Sequence, residues 1–401
     1  GMGNKNSYNV ICFGYQPWSK MWKRNQSMMA ELAKLEFINR VTFVNPICSV
    51  LSLLRIKNSI TKSKAGIKNV FITTRISPKI FIYTPKNFIP QRRYLSSLRA
   101  FETRIITRIG LKKVQRLNSD KPYILFLNSP NIFLHDLVDF LLEGASLSIF
   151  DFSDDFLELG YNKKTLENFR RNIELYTPAV DMVLTANEHI RLKYRKLNPN
   201  IHVIRNATNY DNFDRKCYKP VDRLEKLKNN KHPIIGYSGT VNMSRLDAGI
   251  LDFTIKQRPN WNFVFIGYAK NEFSQKYLHY KNVHHIEPVD YVYLPNYLQY
   301  FDVAIVPFQI NAHTRGNDLL KFHDYLAMGK PVVSTETAGA NDLKGVIKIA
   351  NSPSTFLDEI ERSLSTETSD VFLDRKQIAK QNSWGNRIKE FEQLLMNYLE
   401  I

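Results

Sequence analysis

With 401 residues, 43% of them hydrophobic and 25 Phe and 20 Tyr among those, the chain can bury two cores of about 150–200 residues each, which excludes a disordered protein. No apolar run approaches the roughly 20 residues of a membrane-spanning helix, and the opening residues do not read as a secretion signal; Gly1 ahead of Met2 reads as a remnant of tag removal. Cys12, Cys48 and Cys217 are odd in number and lack metal-ligand spacing, which excludes a disulfide scaffold, gives no sign of zinc and points to the reducing cytosol.

Short β-branched runs alternate with helical patterns from the start: a strand at Val10–Phe13, a helix carrying Met28, Met29, Leu32 and Leu35, then a strand at Val41–Val44. Between Glu36 and Glu102 there is no acidic residue, while Lys57, Lys62, Lys64, Lys68, Lys79, Arg92, Arg93 and Arg99 accumulate among Phe, Ile and Tyr. Their charges interrupt both helical and strand periods over residues 50–110. Strands resume at Tyr123–Leu127, Leu147–Phe150, Met182–Thr185 and Ile201–Ile204, each separated by enough chain for a crossover helix, so a parallel sheet is expected. The polar, Lys-rich stretch 214–232 breaks the pattern. A second series then follows at Ile234–Tyr237, Phe263–Ile266, Val283–Ile286, Val303–Val306 and Val332–Ser334. The predicted architecture is α/β: two doubly wound parallel-sheet domains, 1–210 and 211–383, the first completed by a closing helix at 384–401. Ligands of open α/β sheets bind beyond the carboxyl ends of the strands, so function is expected in the cleft between the domains.

The net charge of +18 is uneven: residues 1–119 hold 22 Lys and Arg against Glu31, Glu36 and Glu102, a net of +19. Such a half suits anionic lipid headgroups, nucleic acid or a diphosphate-bearing acceptor, or is simply a solvated face. In the second half, Val303–Phe308 reads as a buried strand, Gln309–Asp318 as a polar loop and Leu319–Met328 as a helix stopped by Gly329, Lys330 and Pro331. A helix start after a strand offers free N–H groups and a positive dipole end to a phosphate. Lys321 lies in its first turn, and Asp324 follows on the same face, where it could accept ribose hydroxyls. An exposed ion pair is the other reading of these two residues.

The run Leu319-Leu320-Lys321-Phe322-His323-Asp324-Tyr325-Leu326-Ala327-Met328-Gly329-Lys330-Pro331 resembles the nucleotide-sugar segment of retaining bacterial GT-B glycosyltransferases of the group 1, family 4 type. Ile235-Gly236-Tyr237-Ser238-Gly239-Thr240, followed by Arg245, resembles their glycine turn. Gln16-Pro17-Trp18 with Arg24 resembles their opening loop, and Ile149-Phe150-Asp151-Phe152-Ser153-Asp154-Asp155-Phe156 their acidic strand end. The resemblance implies a GT-B fold of two Rossmann-like domains, with a donor nucleotide at Gly239, Thr240, Arg245, Pro288, Asn317, Leu319, Leu320, Lys321 and Asp324. It implies catalytic roles for Asp151, Asp154, Arg24 and Lys321, although Asp154 or Asp155 could instead cap the following helix. Two departures stand out. Gly316 occupies the position where many relatives carry a glutamate against the donor sugar, and Glu287 replaces a customary glycine beside Pro288.

The activity implied is transfer of a sugar from a UDP- or GDP-linked donor to a hydroxyl of a glycan or lipid-linked glycan, with retention, in cell-surface polysaccharide biosynthesis. No cofactor beyond the donor's own nucleotide and no metal is expected, since cations of the chain would meet the leaving diphosphate. The place of work is expected to be the cytoplasm, peripheral on the inner face of an anionic membrane, with no nucleic acid as partner. The competing readings are a nucleotide-sugar epimerase on the same fold, using paired carboxylates among Asp151, Asp154 and Asp155, and a nucleic-acid-binding protein using the basic half.

Overall fold

The computed structural model describes residues 6–19, 22–49, 73–130, 135–316 and 319–401. They form two compact units, Gly1–Ile204 with Ile388–Ile401, and Arg205–Arg387. Lys57, Lys62, Lys64 and Lys68 of the basic stretch, and Asn317 of the predicted donor segment, lie outside the described residues.

The first unit is built on strands β1 (Tyr8–Phe13), β2 (Ile38–Val44), β3 (Cys48–Ser49), β4 (Thr74–Arg75), β5 (Ile80–Tyr83), β6 (Lys86–Asn87), β7 (Tyr123–Leu127), β8 (Leu147–Phe152), β9 (Met182–Thr185) and β10 (Ile201–Val203). Eight of them make one sheet in the order β10-β9-β8-β7-β1-β2-β5-β4, parallel throughout except for β4, which runs antiparallel to β5. The strands β1, β7 and β8 are buried at every residue, because crossover helices cover both faces; that is why they read in the sequence as unbroken apolar runs. The closing helix Trp384–Leu399 buries Ile388, Phe391 and Leu395 at helical spacing, and the Phe391 ring meets Phe126 of β7 edge-on at 6.0 Å.

The second unit has strands β11 (Ile234–Ser238), β12 (Asn262–Ile266), β13 (Val283–Ile286), β14 (Val303–Val306), β15 (Val332–Ser334) and β16 (Ile347–Ile349), all parallel, in the order β13-β12-β11-β14-β15-β16. Strand order reverses between β11 and β14, so the loops leaving those two neighbours diverge and open a crevice. Phe263, Phe265, Ile305, Phe322 and Tyr325 fill the core between sheet and helices, each contributing roughly 1.5–3 kcal/mol of burial.

Four differences from the sequence reading have physical causes. Residues 73–117 hold three short strands and a long helical run, whose outward apolar side chains cancel the usual periodicity. The polar stretch 214–232 contains the helix Asp222–Asn229, tied to the core through a single buried residue, Leu224. The edge strand β16 was not anticipated, because only one of its three residues is buried. The predicted helix Leu319–Met328 is Leu320–Ala327, and it ends where Gly329, at φ +70°, and Lys330 donate back to Leu326 and Tyr325 (2.8 and 3.0 Å), the paired bonds of a Schellman cap.

Candidate functional site

The crevice of the second unit gathers several of the predicted residues around one phenol. Tyr237 is the penultimate residue of β11 and is buried; its hydroxyl donates to the Thr240 carbonyl (3.0 Å) and accepts from the Lys321 ammonium (3.0 Å). Lys321 reaches it from the first turn of Leu320–Ala327, with its Nζ 4.3 Å from the centroid of the Tyr237 ring and 5.1 Å from that of Phe308. Gly239 closes the arrangement. At φ +135° its backbone adopts a conformation that favours glycine, and a Cβ there would stand 2.6 Å from the Lys321 Nζ. Burial pushes the Tyr237 phenol up, while the charge of the half-buried Arg245 draws it down, so both cations act at one place. Leu319, in an extended conformation and without a side-chain cap, starts the helix, and Leu319 and Leu320 are half-buried.

One turn further along, Asp324 is buried, and its Oδ1 accepts from the hydroxyls of Thr208 (3.0 Å) and Tyr291 (3.3 Å). Burial pushes its carboxyl up to about 7, opposed by those two hydrogen bonds and by the Lys321 charge. Asp324 Oδ2 makes no hydrogen bond among the described residues, which leaves one oxygen for a hydroxyl. The side chain of Thr208 is fixed in turn, since its backbone pairs with Asn382 and Trp384. Thr240 is exposed one residue beyond the turn, and Pro288 is exposed just after β13.

In the first unit Arg24 and Asp151, both expected in catalysis, are paired with each other. Asp151 has no exposed surface, and its two oxygens accept from Arg24 Nε and Nη2 at 2.9 and 2.8 Å. Arg24 Nη1 donates to the Ile204 carbonyl at 2.6 Å. Each charge holds the other in the interior, so neither side chain is presented to a sugar or a diphosphate. Asp155 is likewise buried, bonded through both oxygens to Lys193 at 2.9 Å, and it provides no side-chain cap to Phe156–Glu158. Asp154 is the partly exposed member of the acidic strand end, and it accepts from the Asp155 backbone N–H at 3.0 Å.

Residues 233–366 match the family described as Glycosyl transferases group 1. The match covers 134 of the 401 residues and lies within the second unit. A relative in Bacillus subtilis (strain 168), which carries the provisional name teichuronic acid biosynthesis glycosyltransferase TuaH, is 24% identical over 193 residues. That alignment covers 46% of this chain and 48% of the relative, so the chain spans about half the length of the curated protein it matches. Among solved structures, sucrose-phosphate synthase (tll1590) from Thermosynechococcus elongatus superposes with a TM-score of 0.69 at 15% identity, over 97% of this chain and 98% of that one. Anabaena Alr3699/HepE in complex with UDP and glucose gives 0.63 at 12% identity, over 97% and 99%. These likenesses establish the fold as GT-B.

Within this second unit, sequence reasoning missed Tyr237, Thr208 and Tyr291 as site residues. Tyr237 sits in an entirely buried strand and reads as core; Thr208 and Tyr291 lie 116 and 33 residues from Asp324, and no local period links them to it. A cavity of about 350 Å³, lined by Arg205, His323, Asp342, Asn382 and Arg387 among others, contains none of the predicted donor residues. Its charges are met from within, Arg205 by Asp342 and Arg387 by Asn382. Among the described residues no three His, Cys, Asp or Glu side chains are grouped to hold a metal ion.

Proposed function

We propose that the chain transfers a sugar from a UDP- or GDP-linked donor to a hydroxyl of a glycan or lipid-linked glycan, with retention. The observation that carries this reading is the meeting of Lys321 with the Gly239 turn at the switch point of the second sheet. Backbone without a Cβ, an ammonium and the start of a helix converge there, an arrangement that suits a diphosphate. As the bond from the anomeric carbon to the diphosphate breaks, negative charge grows on the leaving oxygens. Lys321 and Arg245, already in position, stabilise that charge more than they stabilise the ground state. Asp324, held by Thr208 and Tyr291, accepts a ribose hydroxyl through its remaining oxygen. The donor brings its own nucleotide, and the chain's cations serve in place of a metal.

The provisional name of the Bacillus relative supports a place in surface-polysaccharide biosynthesis. The epimerase reading loses its paired carboxylates, since Asp151 and Asp155 are buried against Arg24 and Lys193. In a thermal-shift screen, UDP or GDP is expected to raise the melting temperature, and Lys321→Ala to remove most of that rise. Undiminished nucleotide binding by Lys321→Ala would overturn the diphosphate assignment. Release of nucleoside diphosphate that depends on an added hydroxyl acceptor tests the transfer itself.

A further inference from the structure

From Arg93 to Leu117 the first unit carries one continuous helical run: a 3-10 turn at Arg93–Leu95, a helix at Ser96–Glu102, a wider i→i+5 turn at Thr103–Thr107 and a helix at Arg108–Leu117. Its inner face is well anchored. Thr107, Gly110, Leu111 and Val114 are buried, and Gly110 lies so close to Tyr83 of β5 that a Cβ would meet its hydroxyl at 1.8 Å. The Glu102 carboxylate accepts the backbone N–H groups of Phe88 and Ile89 at 2.5 and 3.0 Å.

The outer face is unusual for a surface in water. Tyr94, Leu98, Phe101, Ile105 and Ile109 are 83%, 54%, 62%, 43% and 54% exposed, and their spacing of four, three, four and four residues places them in one stripe. The wider turn keeps Ile105 and Ile109 in line with Phe101, because one more residue per turn offsets the four-residue steps. Scattered apolar side chains are ordinary on a protein surface; an aligned stripe about 22 Å long is not. Exposed Arg92, Arg93, Arg104, Arg108, Lys112 and Arg116 accompany it. The single carboxylate of the run, Glu102, is buried on the other side, and Asp139 lies 3.9 Å from Arg108.

We propose that this helix lies in the plane of an anionic phospholipid surface, with Leu98, Phe101, Ile105 and Ile109 entering the acyl boundary and the arginines meeting lipid phosphates. Charge complementarity selects this occupant, and the stripe selects a bilayer over a nucleic acid, whose phosphates reward the cations but not five aligned apolar side chains. No helix among the described residues is long and apolar enough to cross a membrane, so the contact is with the surface. The proposal stands on this helix alone and does not depend on the donor-site reading.

The test uses the full chain and sedimented vesicles of phosphatidylglycerol mixed with phosphatidylcholine, or of phosphatidylcholine alone. Partition into the anionic vesicles at low salt, weakened by high salt, is expected, with little into the neutral ones. The combined change Leu98→Ser, Phe101→Ser and Ile105→Ser should lower partition about tenfold or more, with melting temperature and nucleotide-induced shift unchanged. Because Ile105 is exposed, Ile105→Trp leaves the fold intact and should blue-shift its fluorescence on anionic vesicles. Absence of partition, equal partition into both lipids, undiminished partition of the triple variant, or self-association through this face in place of vesicle binding would each overturn the proposal.

Discussion

Asp324→Asn isolates the cost of keeping a carboxylate where ribose is to be bound. In the folded chain burial moves this carboxyl from an ordinary 3.8 to about 7, so between those values the native state holds a proton that the unfolded chain has released. The unfolded state therefore binds fewer protons, and this group's contribution to stability falls as pH rises from about 4 to about 7, then stays level. The displacement corresponds to about 4 kcal/mol above pH 7 and to about 2 kcal/mol at pH 5. An asparagine keeps an oxygen for the Thr208 and Tyr291 hydroxyls but carries no charge. At pH 8, Asp324→Asn should stabilise the ligand-free protein by about 2–4 kcal/mol, or about 5–15 °C for a unit of this size. At pH 5 the gain should shrink to about 1–2 kcal/mol, because the unfolded carboxyl is already mostly ionised there. Calorimetric melts of both at the two pH values cancel the titration of every other group. Equal differences at pH 5 and pH 8, or a less stable variant at pH 8, would refute the buried-carboxylate account. The same variant should bind nucleoside diphosphate about tenfold more weakly, by loss of a charged hydrogen-bond acceptor.

Gly239→Ala should cost about 1–3 kcal/mol through its positive φ, and should weaken nucleotide binding by driving Lys321 from Tyr237; isothermal titration at matched folded fraction checks this. Arg24→Ala or Asp151→Ala should each destabilise by about 3–5 kcal/mol in urea unfolding, whereas replacing both by methionine should cost much less. If either alanine variant melted normally but lost turnover, a direct catalytic role would return. Gly110→Ala should destabilise by about 1–3 kcal/mol, and Tyr83→Phe, which removes a buried hydroxyl that makes no hydrogen bond among the described residues, should be neutral or stabilising and should partly rescue it.

Strands buried on both faces were legible because they print as unbroken apolar runs; β7, β9, β14 and β15 have the boundaries read from sequence. The run 93–117 defeated the same reading for a physical reason. It is apolar inside, where it packs on Tyr83, and apolar again outside along Tyr94 to Ile109, so no amphipathic period survives. The same holds at the level of the site. Lys321 and Asp324 share one helix and could be placed by spacing, and Gly239 by its turn. Arg24 and Asp151 are 127 residues apart, and each looked available until the fold joined them. A charged residue at a strand end advertises a ligand equally well whether its partner is a substrate or another part of the chain.

The closing helix has a consequence for synthesis. Phe391 and Leu395 belong to the core of the unit that the ribosome makes first, yet they emerge last, after the whole of Arg205–Arg387. At ordinary elongation rates of about 5–20 residues per second, the β7 face that receives Phe391 waits roughly 15–50 s for it. The second unit, continuous in sequence and with Thr208 already paired beside Trp384, can fold as soon as it is out. The nascent chain thus completes its inserted unit before the one that encloses it. Released chains truncated before Ile388, which keep the whole second unit, should resist proteolysis there while the first unit is still digested.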